Sequence, residues 1–306
     1  MNQLFHAIAR LFARDNVKED YEKVRLRQLQ LAALPLPRYQ TLDRTMVSED
    51  GTHEIDGRVF FPKDRRRDEL LLYFHGGGWV TGDIESYTPA CALMADQTGC
   101  VVVSIDYRLA PEHPFPAGLE DCYRVAQQIL ADPGLANRLD PEQIVLMGDS
   151  AGANLAAVVS LLLRDRGERV PSRQILLYPV THWDHTPEGS PFESVRKHGE
   201  DYRLTNTEVQ DYMELYVPNT EQRKDFRVAP LMAADFTNQP KTLLISAELD
   251  LLCDEGEAYG TALSDAGNSV QILRVEGALH GFITLPRFAK SLRRAYEAIN
   301  AFLDEK

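Results

Sequence analysis

The feature that most constrains this chain is Gly148-Asp149-Ser150-Ala151-Gly152, a pentapeptide that follows the apolar run 144–147 and opens the helical stretch 153–163. A strand, a sharp turn and a helix in that order place one serine at the tip, on a strained backbone with its hydroxyl standing free. Glycines flank it because a Cβ at either position would collide with the neighbouring strand and helix. A G-x-S-x-G arises by chance in roughly one chain in ten of this length, so alone it is weak. A second motif strengthens it: His75-Gly76-Gly77-Gly78-Trp79 ends the apolar strand expected over 70–74, where a loop that meets a developing oxyanion belongs.

Short runs rich in Val, Ile, Leu and Tyr recur at 59–61, 70–74, 101–105, 144–147, 175–178, 242–247 and 270–275, with helical segments between most of them. That alternation predicts an α/β fold with a mostly parallel sheet covered by helices on both faces. Segments 43–47 and 54–61, around Ser48-Glu49-Asp50-Gly51, predict an antiparallel hairpin at one edge, which brings the sheet to eight strands. The charge run 63–69 reads as a solvated turn. Residues 1 to about 45 read as helical, with Leu4, Phe5, Ile8, Leu11 and Phe12 at helical spacing in an amphipathic first segment. Residues 181–229 interrupt the rhythm with polar loop and one helical stretch at 206–216. An insertion there opens above the carboxyl ends of the strands, where ligands of such sheets bind. The two segments together predict a cap over one catalytic core, 46–180 and 230–306, within one domain spanning 1–306.

A serine hydroxyl is a poor nucleophile at neutral pH and needs a base, with an acid to hold that base in the right tautomer. In this arrangement the order along the chain is nucleophile, acid, histidine. Among the histidines after Ser150, only His280 follows the last strand and precedes the C-terminal helix, so it is the expected base. The acid belongs just after the strand at 242–247, which favours Asp250 or, second, Glu248; Asp254 and Glu255 suit the first turn of the next helix. The amides of Gly77, Gly78 and Ala151 are the natural oxyanion donors, each worth ~3 kcal/mol of transition-state stabilisation in comparable sites. His75 reads as a loop anchor and Cys253 as packing.

Across most of its length the chain resembles the bacterial, acetyl-esterase-like branch of the hormone-sensitive lipase family of α/β-hydrolases. The likeness runs from the His75 motif through Asp106-Tyr107-Arg108-Leu109-Ala110-Pro111-Glu112 and the Ser150 pentapeptide to His280-Gly281-Phe282. It implies that the acid is the first residue of Asp250-Leu251-Leu252-Cys253-Asp254-Glu255-Gly256, although the family's proline after that aspartate is absent here. It further implies Gly77 and Gly78 as oxyanion donors, a two-piece cap, and hydrolysis of small acyl esters without a cofactor. The expected reaction is therefore that of a serine carboxylesterase. An arylformamidase-type amide hydrolase uses the same parts, and a non-catalytic receptor on this fold is the rival of a different class. Trp79 and Phe282, with Phe5, Phe12, Phe192, Tyr202 and Tyr212, are expected to wall the substrate pocket and favour short acyl groups.

The remaining features narrow the partners. A net charge of −13, from 46 acidic against 33 basic residues, argues against nucleic acid or an anionic membrane. No apolar run approaches the ~20 residues of a membrane span, and the longest, 151–163, reads as a buried helix. Four cysteines without C-x-x-C spacing suit a reducing, cytoplasmic setting. His182, Asp184 and His185 superficially resemble a metal site but lack a helical i, i+4 histidine pair, so no metal is expected. Oligomeric state, a homo-oligomer included, is left open.

Overall fold

Strict two-residue alternation decides how the sheet is built. Leu70, Leu72 and Phe74 face one core cluster and Leu71 and Tyr73 the other; Ile144 and Leu146 oppose Val145 and Met147 in the same way. A strand apolar on both faces needs a helical layer on each. The computed structural model describes residues 17–32, 39–48, 50–131, 141–200 and 202–305. It contains an eight-stranded sheet in the order β1-β2-β4-β3-β5-β6-β7-β8. The strands are β1 (Gln40–Val47), β2 (Glu54–Phe61), β3 (Leu70–Phe74), β4 (Val101–Asp106), β5 (Ile144–Asp149), β6 (Arg173–Leu177), β7 (Lys241–Leu249) and β8 (Val270–Leu279). β1 pairs antiparallel with β2, and β2 antiparallel with β4; every other pairing is parallel. The edge hairpin and the α/β class are as the periodicity predicts.

Helices α1 (Val17–Ala32), α2 (Ile84–Thr98), α3 (Ala117–Ala131), α4 (Ala151–Asp165), α5 (Glu193–His198), α6 (Asn206–Tyr216), α7 (Cys253–Asp265) and α8 (Lys290–Asp304) complete the described architecture. α3 and α4 pack on one face of the sheet and α2 and α8 on the other. Residues 151–163 of α4 are all buried, which is why this helix reads as apolar around its whole circumference. Among the described residues no helix is long and apolar enough to cross a membrane.

One boundary differs from expectation. The helical region assigned to residues 1 to about 45 ends earlier, because 40–47 is sheet: all eight residues of β1 pair with β2. Alternating Thr, Leu, Asp, Arg and Met on an exposed edge strand give no strong periodicity to read. The expected amphipathic segment at 1–14 lies outside the described residues.

The insertion at 181–229 is pinned at both ends by one buried amide. Asn154, inside apolar α4, donates from Nδ2 to the carbonyls of Val180 (2.9 Å) and Val228 (2.8 Å). α6 starts from a capping box in which Thr205 and Glu208 each bond the other's backbone N–H. Lys18 of α1 pairs with Glu214 of α6, so the two segments outside the sheet meet each other.

Candidate active site

β5 runs into α4 through Ser150, whose backbone (φ 54°, ψ −121°) lies in a region that L-residues rarely occupy. The strain is held by close packing. A Cβ added to Gly152 would sit 2.0 Å from the carbonyl oxygen of Phe74, and one on Gly148 would sit 2.3 Å from that of Gly152. Both glycines are therefore required for the turn to seat against β3, while the Ser150 N–H bonds the Leu177 carbonyl at 2.9 Å.

Three side chains from distant turns meet there. His280, one residue past β8, places Nε2 2.8 Å from Ser150 Oγ, and its Nδ1 lies 2.6 Å from Asp250 Oδ2. A carboxylate only accepts, so Nδ1 carries the proton and Nε2 is the acceptor for the serine hydroxyl. Asp250 is almost fully buried, at 1% exposure, and its other oxygen accepts the Leu252 N–H at 3.1 Å. The turn thus forms with Leu251 where the family pattern has proline. Glu248 points elsewhere: its Oε2 accepts the Gly277 N–H at 2.6 Å, where the β7–β8 register slips between Ala247 and Leu249. That irregularity frees an amide from the ladder, and Glu248 satisfies it.

Gly77 (φ 122°) and Gly78 (φ 62°) follow β3 on a half-buried loop. Among the described residues, the amide N–H groups of Gly77, Gly78 and Ala151 make no hydrogen bond within the protein. Donors left unspent beside a nucleophile are what a developing oxyanion needs. The loop is braced from outside: Arg25 of α1 donates to the Val80 and Ala110 carbonyls (2.7 and 2.9 Å) and forks onto Glu112, while Gln28 accepts the Gly82 N–H at 3.0 Å. The ring of Tyr212, from α6, fills the space a side chain at residue 78 would need.

Two residues that the motifs alone do not reveal hold these parts together. Asp149, at 1% exposure, accepts hydrogen bonds from Tyr73 Oη (2.6 Å), the Gly76 N–H (2.7 Å), Tyr87 Oη (3.2 Å) and Tyr178 Oη (3.3 Å). Burial raises its carboxyl above the ordinary range, opposed by the Tyr73 and Gly76 bonds. Tyr178 sets its ring edge-on to His280 at 4.9 Å and accepts the Ile283 N–H at 3.2 Å, linking the serine turn to the histidine loop.

Other expected residues take different places. Trp79, expected to line the pocket, is 2% exposed and stacks on Tyr216 (4.5 Å, 7°); Phe282 is fully buried against Tyr178. Neither offers surface to a ligand: after its left-handed turn (φ 61°) Trp79 packs on Tyr216 of the insertion, and Phe282 packs on Tyr178. Phe5 and Phe12 lie outside the described residues. His75 is a buried anchor, donating from Nδ1 to the Gly76 carbonyl (2.8 Å) and stacking on Tyr107. His185 pairs with Glu255 at 2.8 Å, and Glu255 also accepts the N–H groups of Thr181 and His182, fastening the start of the insertion. Among the described residues no three His, Cys, Asp or Glu side chains are grouped to hold a metal ion. All four cysteines are free and buried, and burial pushes the Cys253 thiol up to about 12, so it holds no thiolate to compete with Ser150 at neutral pH.

Comparison with known proteins agrees with this fold. Residues 71–284 match the profile of a family with the alpha/beta hydrolase fold. An arylesterase of Saccharolobus solfataricus is 30% identical over 91% of this chain and 89% of its own length. Carboxylesterase NlhH of Mycobacterium tuberculosis is 32% identical over 92% and 88%. The solved hyperthermophilic esterase of Pyrobaculum calidifontis superposes with a TM-score of 0.85 at 33% identity, covering 99% of this chain and 97% of that one. The chain belongs to the α/β-hydrolase fold family, on the hormone-sensitive-lipase-like branch that its motifs resemble.

Proposed function

We propose that this protein is a serine carboxylesterase that cleaves short-chain acyl esters through an acyl-enzyme. Ser150 attacks the ester carbonyl as His280 takes its proton; Asp250 keeps Nδ1 protonated and stabilises the imidazolium. The amides of Gly77, Gly78 and Ala151 hold the tetrahedral oxyanion, aided by the positive end of α4. His280 then returns the proton to the departing alcohol, and water releases the acid by the same steps. The observation that carries this reading is the unbroken chain Asp250–His280–Ser150 at 2.6 and 2.8 Å. Relatives named arylesterase and carboxylesterase support the reaction class.

A cap formed by residues 1 to about 45 and 181–229 is supported by contacts of its described parts, since Tyr212, Arg25 and Gln28 all rest on the glycine loop. Phe192, Tyr202 and Tyr212 are half-buried aromatic residues of that cap, and bulk of this kind favours short acyl groups. Four unpaired buried cysteines suit a cytoplasmic protein.

An organophosphate ester should label the protein once, on the peptide containing Ser150, with no mass increase in Ser150→Ala; a label on any other residue overturns the assignment. In an acyl series, acetyl and butyryl 4-nitrophenyl esters should give higher kcat/KM than the dodecanoyl ester, and the reverse order would refute the chain-length proposal.

A further inference from the structure

Arg203 stands in the insertion, just before α6, and rests on the loop that carries His280. Its Nη1 donates to the carbonyl of Gly281 at 3.2 Å, and an ideal Cβ on Gly281 would lie 3.2 Å from the guanidinium carbon. The side chain is half-buried. A guanidinium carries five N–H donors, and this single carbonyl is its one acceptor among the described residues. No carboxylate of those residues comes within 4.0 Å of it. By contrast Arg25 has Glu112, Arg58 has Asp43 and Glu85, Arg67 has Asp304, and Arg108 has Asp121. Among the described residues this half-buried arginine therefore keeps most of its donors and its charge unmatched, in a chain with 46 acidic residues against 33 basic ones. Burial and the Asp149 carboxylate raise the phenols of Tyr87 and Tyr178, the nearby Arg203 charge opposes that rise, and Tyr178 touches the His280 ring.

The proton path says which part of a substrate would meet this charge. His280 must hand its proton to the leaving oxygen, so the alcohol half departs along the histidine side, where Gly281 and Arg203 lie. We propose that Arg203 selects esters whose alcohol half bears a carboxylate, which it grips through its unspent N–H groups. The inference rests on the esterase reading above and names the substrate class of that same site. A planar fork of donors matches a carboxylate in a way that an ammonium does not, and a half-buried pair is weakened less by salt than an exposed one.

The test compares 4-acetoxybenzoate with its neutral methyl ester, methyl 4-acetoxybenzoate, both acetylated at the same phenol. Taking the ratio of kcat/KM for the two substrates, and then comparing proteins, cancels their intrinsic reactivities. In Arg203→Gln, which keeps a donor for the Gly281 carbonyl, the anionic-to-neutral ratio should fall about tenfold or more, mainly through KM. Arg203→Lys should recover part of it, and the wild-type ratio should shrink as salt rises from about 0.02 M to about 0.5 M. Equal losses on both esters would make Arg203 a structural latch and overturn the proposal, as would a ratio unchanged in Arg203→Gln. Wild-type protein that hydrolyses neither ester would refute the esterase reading instead.

Discussion

Replacing Ser150 with alanine should lower kcat for 4-nitrophenyl acetate by about 10,000-fold or more, measured against a wild-type stock titrated for active sites. The substitution removes one oxygen and leaves everything that shapes the turn. Ser150 Oγ has His280 as its side-chain partner, so the loss to stability is that of one hydrogen bond, about 1 kcal/mol, and melting should hardly move. The strained backbone at 150 remains, because its cause is the approach of Gly152 to Phe74 rather than the hydroxyl. Asp250 still holds His280, and the amides at 77, 78 and 151, which make no hydrogen bond among the described residues, are untouched. Alanine at 150 therefore isolates the nucleophile from the rest of the machinery. Turnover within tenfold of wild type would show that another group attacks the ester.

Asp250→Asn should cost about 10,000-fold in kcat, while Glu248→Gln, two residues away, should stay within about threefold. The two carboxylates leave the same strand, and only their partners separate them. An asparagine amide in place of the Asp250 carboxylate could meet Nδ1 as a donor, which would move the ring proton to Nε2. His280 would then present a hydrogen to the serine in place of a lone pair. Glu248 instead accepts a backbone N–H from Gly277, and the carbonyl oxygen of glutamine can accept the same bond. A large kcat loss in Glu248→Gln with a mild one in Asp250→Asn would reverse the assignment of the acid.

Much of this site was legible because its demands are local. The serine turn needs small residues on both sides, so Gly148 and Gly152 write it into five consecutive letters. The strands of the parallel sheet announce themselves through continuous apolar runs, and their alternation predicts the two faces without reference to distant residues. His280 follows from chain order, and the preference for Asp250 over Glu248 from the length of turn needed to point back over the sheet. The resemblance to a known family then agreed with both.

Other features had no local signature. Asp149 reads as the variable second letter of a motif, yet it gathers donors from β3 and the loop after it, from α2 and from Tyr178 just past β6, up to 76 residues away. Arg25 looks like one more cation in a helical stretch until α1 docks and its fork closes on Val80, Ala110 and Glu112. Trp79 and Phe282 sit beside the key motifs and so invite a pocket role, but a left-handed turn and a neighbouring tyrosine bury them. The amino-acid order alone determined what most short segments must be, the exposed edge strand β1 excepted, since backbone sterics and periodic burial act over a few residues. Which side chains touch across the site was decided only by the folded packing, because a hydrogen-bond partner is chosen by distance in space and carries no trace of separation along the chain.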